Sequence, residues 1–168
     1  MYDNWEDLED SIKNCNRCKL CSTRKSIVFG EGNKQADLMF IGEGPGADED
    51  TQGLPFVGKA GQLMNKAFQG LGIKRQEVYI TNIVKCRPPA NRVPEQDEAE
   101  ACLNYLRNQV ILVKPKVIVL LGSTALKNVL IPIIQAIGRS GKLIYLLLFI
   151  VIAVVAYKFF TSKSESST

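Results

Sequence analysis

The chain has 168 residues, 46% of them hydrophobic, and a formal net charge of +4 at pH 7. That is enough apolar material for the core of one domain of ordinary size and too little for a second of equal size, while the mild basic excess permits contact with a polyanion without requiring it. Histidine is absent, which excludes the commonest general base near neutral pH and the commonest imidazole ligand, so chemistry falls to carboxylates, amides, backbone groups or metal.

The first ten residues are acidic and polar with no apolar core of a signal peptide, so a reducing, cytoplasmic setting is expected. Trp5 to Ile12 reads as a short amphipathic helix. It leads into Cys15-x2-Cys18-x2-Cys21, and the remaining two of the five cysteines are Cys86 and Cys102. Clustered cysteines in a reducing compartment bind metal more often than they form disulfides. Two of the first three with Cys86 and Cys102 make a closed four-thiolate site, which suits zinc and a [4Fe-4S] cluster equally.

Three apolar runs follow in order, at Ala36–Gly42, Val78–Val84 and Val117–Gly122, each rich in β-branched or large apolar residues and bounded by glycine or polar residues. Helical patterns at Gly58–Leu71 and Glu95–Val113 separate them, so the expected fold is α/β, a parallel sheet with both faces covered. Ligands in such sheets bind beyond the carboxyl ends of the strands. The loop after the first strand, Gly42-Glu43-Gly44-Pro45-Gly46-Ala47-Asp48-Glu49-Asp50, joins glycines that allow close approach to a ligand with a run of acids. It is neither a Walker loop nor a dinucleotide turn, and its charge has the wrong sign for phosphate, so no nucleotide cofactor is expected. The loop after the second strand, Cys86 to Pro94, is stiff and basic and suits a backbone phosphate.

The composition changes after residue 130. Residues 131–142 read as a linker, and 143–160 form an apolar run, free of charge from Leu143 to Tyr157, that approaches the roughly twenty residues needed to span a bilayer. A C-terminal apolar helix in contact with a membrane is therefore expected, followed by a disordered polar end at 161–168.

Gly42-Glu43-Gly44-Pro45-Gly46, Gly53-Leu54-Pro55-Phe56-Val57-Gly58-Lys59-Ala60-Gly61, Tyr79-Ile80-Thr81-Asn82-Ile83-Val84-Lys85-Cys86-Arg87-Pro88-Pro89 and Leu121-Gly122-Ser123 occur in order, with the cysteines around and between them. In these motifs residues 15–130 resemble the iron-sulfur uracil-DNA glycosylases of family four. The resemblance implies a three-layer α/β/α sandwich with a short parallel sheet, and a [4Fe-4S] cluster on Cys15, Cys18, Cys86 and Cys102 with Cys21 spare. It implies hydrolysis of the bond between uracil and deoxyribose in uracil-containing DNA, after the nucleotide is flipped into a pocket. Within that pocket Gly44, Phe56 and Asn82 would hold the base, Phe56 by stacking and Asn82 by hydrogen bonds that cytosine reverses. Glu49 would orient the attacking water or stabilise the sugar cation, Glu43 would build the pocket, and Asn91 would help hold the same water.

The family also carries a histidine motif near its C-terminus, for which this chain has no counterpart. On that ground the sandwich is expected to be incomplete at its C-terminal end and catalysis weakened, since losing a donor aimed at developing charge costs about a hundredfold to a thousandfold. Two other readings remain beside the enzyme. One is a non-catalytic iron-sulfur DNA-binding module tethered to a membrane, and the other is a zinc-binding structural protein that kept the fold.

Overall fold

The three apolar runs become the strands of the sheet. The computed structural model describes residues 2–129, and in it the first run forms β2 (Leu38–Gly42), the second β3 (Tyr79–Asn82) and the third β4 (Val117–Leu120). Both β3 and β4 pair parallel to β2, with Phe40 opposite Ile80 on one side and Val119 on the other. A short strand that the hydropathy pattern does not announce, β1 (Glu31–Gly32), pairs antiparallel with β3, giving the order β1-β3-β2-β4. The sheet is therefore mixed rather than wholly parallel, because two residues of an otherwise polar loop supply backbone pairing to an edge that would stand open.

The second strand also stops earlier than its apolar run. Ile83 and Val84 leave the ladder, although their N–H groups still donate to the carbonyls of Gly42 (2.9 Å) and Glu43 (3.2 Å). Their departure turns the chain toward Cys86 directly after Asn82.

Helices cover both faces. Successive side chains on a strand point to opposite sides, so Met39, Ile41 and Tyr79 pack on one face with α1 (Trp5–Lys13) and α4 (Gln96–Val113), burying Leu8, Ile12, Leu103 and Leu106. Phe40 and Ile80 pack on the other against Met64 and Phe68 of α3 (Lys59–Leu71). The three layers expected of the sandwich are present. In α3 the buried positions Gly61, Met64 and Phe68 recur at helical spacing, and Gly72 ends the helix in a left-handed conformation at φ 68°. In α1, Asn4 caps the start by accepting from the Asp7 N–H at 2.9 Å.

The crossover from β2 to β3 carries α3, and the crossover from β3 to β4 carries α4 on the opposite face. The two connections part at the carboxyl ends of β2 and β3, where a sheet of this kind opens a crevice. The expected linker at 131–142, membrane helix at 143–160 and polar end at 161–168 lie outside the described residues. Among the described residues no helix is long and apolar enough to cross a membrane.

Candidate active site and cysteine cavity

A cleft of about 390 Å³ opens at those strand ends, and Glu43, Gly44, Glu49, Phe56, Asn82 and Asn91 all line it. The six residues picked from sequence as catalytic or base-binding thus converge on one cavity. Asn82 stands in its wall as the last residue of β3, 1% exposed, and its side-chain Oδ1 has no hydrogen-bond partner among the described residues. A buried acceptor left unpaired costs about 1–3 kcal/mol, so it marks a place where a ligand N–H would be welcome. Gly42 makes room for it: a Cβ there would come within 2.4 Å of Asn82 Oδ1 and 2.5 Å of the Phe56 ring.

Phe56 adopts a left-handed backbone, φ 51°, which is rare for a bulky residue and costs about 1–3 kcal/mol. The half-buried ring beside Asn82 is what that conformation secures.

The acidic loop divides its carboxylates among different tasks. Glu49 lies in α2 (Ala47–Gln52) and is buried. Its Oε1 accepts from the N–H groups of Val57 (2.9 Å) and Gly58 (2.8 Å), and its Oε2 from that of Gly46 (3.1 Å). The carboxylate therefore stitches the loop before α2 to the loop before α3. A carboxylate has about four lone-pair directions, and the one left on Oε2 remains for a water. Gly58 leaves room for this wrapping, since a Cβ would stand 2.9 Å from Asp48 Oδ2 and 3.2 Å from Glu49 Oε1 and press on both carboxylates. Asp48 is exposed at the cleft and Glu43 is half-buried in its wall. Asp50, 2% exposed, turns away and accepts from the N–H groups of Lys25 (2.9 Å) and Ser26 (3.2 Å), tying the N-terminal arm to α2.

The basic loop is less available to phosphate than its composition suggests. Arg92 forms a bidentate pair with Glu98 of α4, at 2.8 and 2.7 Å, and Arg87 donates to Asn91 Oδ1 at 2.7 Å. The Glu98 side chain is wholly buried, and a buried carboxylate needs such a partner. The Arg92 guanidinium holds the Glu98 carboxyl below the usual range, against the effect of burial. Asn91 follows Ala90 in two consecutive left-handed residues, φ 54° and 55°, that bend the loop back over the cleft.

The cysteines meet on the far side of the same chain segment. Cys15, Cys18, Cys86 and Cys102 line one small cavity between the end of α1, the turn at Lys19–Ser22, the loop after β3 and α4, and Cys21 lines it too. Cys86 and Cys102 are buried and the other three half-buried. Burial pushes the Cys86 thiol up to about 11, opposed by Arg24, whose Nη1 donates to its sulfur at 3.3 Å. Burial likewise raises Cys18 and Cys102, and the Lys85 N–H donates to Cys102 Sγ at 3.4 Å. Thiolates so placed need a positive centre among them, so the all-sulfur donor set fits a thiophilic metal or cluster. The sulfurs surround the cavity rather than meet at a point: among the described residues, no three cysteine, histidine or acidic side chains are set to hold one ion.

Sequence reasoning missed Lys85 and Glu98, and it counted Asp50 among the carboxylates near the water where the structure turns it to the N-terminal arm; all three are buried polar residues that hold loops in place. A signal existed for Lys85, a single cation inside the apolar run Ile83-Val84-Lys85-Cys86.

The Uracil DNA glycosylase superfamily matches this chain over residues 29–163. A type-4 uracil-DNA glycosylase of Pyrobaculum aerophilum is 49% identical over 137 residues, covering 82% of this chain and 68% of the relative. Those of Saccharolobus solfataricus and Thermotoga maritima are 50% and 47% identical, covering 71% and 72% of this chain and 56% and 63% of theirs. The chain thus spans between 56% and 68% of the length of these relatives. At this identity, and with the motifs gathered around one cleft, the chain belongs to the uracil-DNA glycosylase superfamily, in its type-4 branch.

Proposed function

We propose that the chain is a uracil-DNA glycosylase of base-excision repair, hydrolysing the N-glycosidic bond of a deoxyuridine flipped out of DNA. The observation that carries this reading is the buried, unpartnered Oδ1 of Asn82 in a cleft beside a half-buried aromatic ring. Uracil presents an N3–H donor to that oxygen and an O4 acceptor to the amide N–H of the same side chain. Cytosine reverses both polarities and would leave buried groups unpaired. Phe56 gives the pyrimidine a stacking face without choosing among bases.

Glu49 is the residue for the water. Its oxygens are fixed by three backbone N–H groups, and the direction left on Oε2 can accept from a water that attacks C1′. Its negative charge also favours the cationic sugar as the bond to N1 breaks, the bonding pair leaving with the base. Glu43 and Gly44 shape the pocket wall. Asn91, engaged with Arg87, holds the loop over the cleft and leaves its own N–H₂ for the same water.

Cys15, Cys18, Cys86 and Cys102 would hold a [4Fe-4S] cluster, with zinc as the other occupant of an all-thiolate set. When bound, the cluster supplies iron–thiolate bonds that tie the N-terminal arm to the loop after β3 and to α4. The residues around it do the rest, Arg24 and Lys85 by N–H···S contacts.

The test is uracil release from a single-stranded oligonucleotide carrying one deoxyuridine, with Glu49→Ala alongside. Release that depends on Glu49 is expected. An intact cluster with no release would overturn the enzymatic reading and leave a DNA-binding module.

A further inference from the structure

Lys85 has no solvent exposure. Its Nζ donates to Thr81 Oγ1 (2.6 Å), the Asn82 backbone carbonyl (2.6 Å) and Gln109 Oε1 (2.7 Å), which uses all three ammonium hydrogens. Two of these acceptors belong to the last two residues of β3. Around them the polar groups are satisfied in turn: the Thr81 hydroxyl donates to the Phe29 carbonyl at 2.8 Å, and Gln109 Nε2 donates to the same carbonyl at 2.8 Å and to the Tyr79 hydroxyl at 3.1 Å.

The consequence falls on one peptide plane. The carbonyl of Asn82 is held by Lys85, and the N–H of the same peptide, that of Ile83, is held by the Gly42 carbonyl at 2.9 Å. A peptide fixed at both ends fixes the direction of the Asn82 Cα–Cβ bond. That matters because the Asn82 Oδ1 is buried with no partner among the described residues. A buried acceptor with no partner favours any backbone shift that would bring it to a donor, and a peptide held at both ends opposes that shift. Burying an ammonium is itself expensive, and an apolar side chain of like volume would serve packing better. The clamp is what the three hydrogen bonds provide here.

We propose that Lys85 is a positioning residue for base recognition, holding the Asn82 peptide so that its side-chain amide stays aimed into the cleft. Its kinetic consequences rest on the glycosylase reading, whereas its structural consequence does not.

The test is Lys85→Met in the full chain with its metal site loaded, since methionine keeps the length and removes the donors. Hydrogen exchange by mass spectrometry compares the segment 79–85 with the segment 37–42. Exchange at 79–85 is expected to accelerate about tenfold or more while 37–42 stays within about twofold. The affinity for free uracil is expected to fall about ten- to a hundredfold, and that for an oligonucleotide with a tetrahydrofuran abasic site to stay within about twofold. Visible absorbance of the cluster should persist.

Equal acceleration in both segments, or none in 79–85, overturns the proposal. If Lys85→Met does not fold, Thr81→Val removes one acceptor at nearly constant volume, and the same split is expected at about threefold; no split overturns the proposal. Acceleration confined to 79–85, where the wild-type chain releases no uracil, would sink the glycosylase reading and leave the clamp standing. Uracil release with 79–85 unmoved would sink the clamp alone.

Discussion

The cleft that ends at Asn82 is finished by backbone, and the cavity that begins at Cys86 is finished by side chains. In the cleft, three main-chain N–H groups wrap Glu49, a left-handed backbone presents Phe56, and the missing Cβ of Gly42 admits both Phe56 and Asn82. In the cavity, five sulfurs from three separate stretches of chain face one another, with Arg24, Lys85 and a backbone N–H to favour their charged forms against burial. A site wrapped by its own amides keeps its shape before any ligand arrives. A ring of buried thiols has no such support, and its shape depends on what the sulfurs hold. One strand of chain therefore carries a preformed site and a site completed by its occupant, four residues apart.

That contrast can be broken in four ways. The largest effect is expected from Cys86→Ser combined with Cys102→Ser, which should abolish metal retention altogether, read as iron and zinc content of the purified protein. The N-terminal arm should then become sensitive to protease while the cleft residues keep their protection. Loss of protection at both would show that the two sites are not separable.

Next, Glu49→Ala should lower uracil release by about a hundredfold to a thousandfold, roughly 3–4 kcal/mol of transition-state stabilisation, because it removes both the water contact and the stitch between two loops. Metal content should be unchanged. Single-turnover kinetics on a deoxyuridine oligonucleotide reads the first, and elemental analysis the second.

A smaller loss, about ten- to a hundredfold, is expected for Asn82→Ala, with the value concentrated in uracil affinity rather than in DNA affinity. Inhibition by free uracil separates the two, and an equal loss of both would mean that Asn82 supports the fold rather than reads the base.

The smallest effect is one of pH. The Glu98 carboxyl is held low by Arg92, so its contribution to stability is complete above the ordinary value of 4.5 and fades as pH falls below it through the lowered one. The melting temperature of wild type should drop more steeply below that value than that of Glu98→Gln. Parallel curves would mean that the Arg92 pair is not what holds the basic loop.

The frame of the fold was legible because it is written in apolar runs. Leu38–Gly42, Tyr79–Asn82 and Val117–Leu120 each fall inside the run that announced them, and Lys59–Leu71 and Gln96–Val113 begin one residue after their expected starts. The β1 strand was not legible, since two residues carry no periodicity and their pairing is decided by the exposed edge of β3. The gathering of Glu43, Glu49, Phe56, Asn82 and Asn91 around one cleft was legible from the strand-end rule together with the resemblance. What each carboxylate does was not. Asp48, Glu49 and Asp50 are neighbours in a run of acids, yet one faces solvent, one accepts three amides and one anchors a distant arm. Arg92 misled for a related reason: composition counts a charge, while the buried Glu98 six residues later determines where that charge goes.

Asn82 and Cys86 are joined by three residues, a span of at most about 14 Å of extended chain. The segment between them has no slack, because Ile83 is pinned to the last residue of β2, Val84 to the residue after it, and Lys85 at both its side chain and its N–H. One inserted or deleted residue there would shift the register of one site against the other, with no loop to absorb the change. In evolutionary terms this stretch should tolerate substitution far better than a change of length.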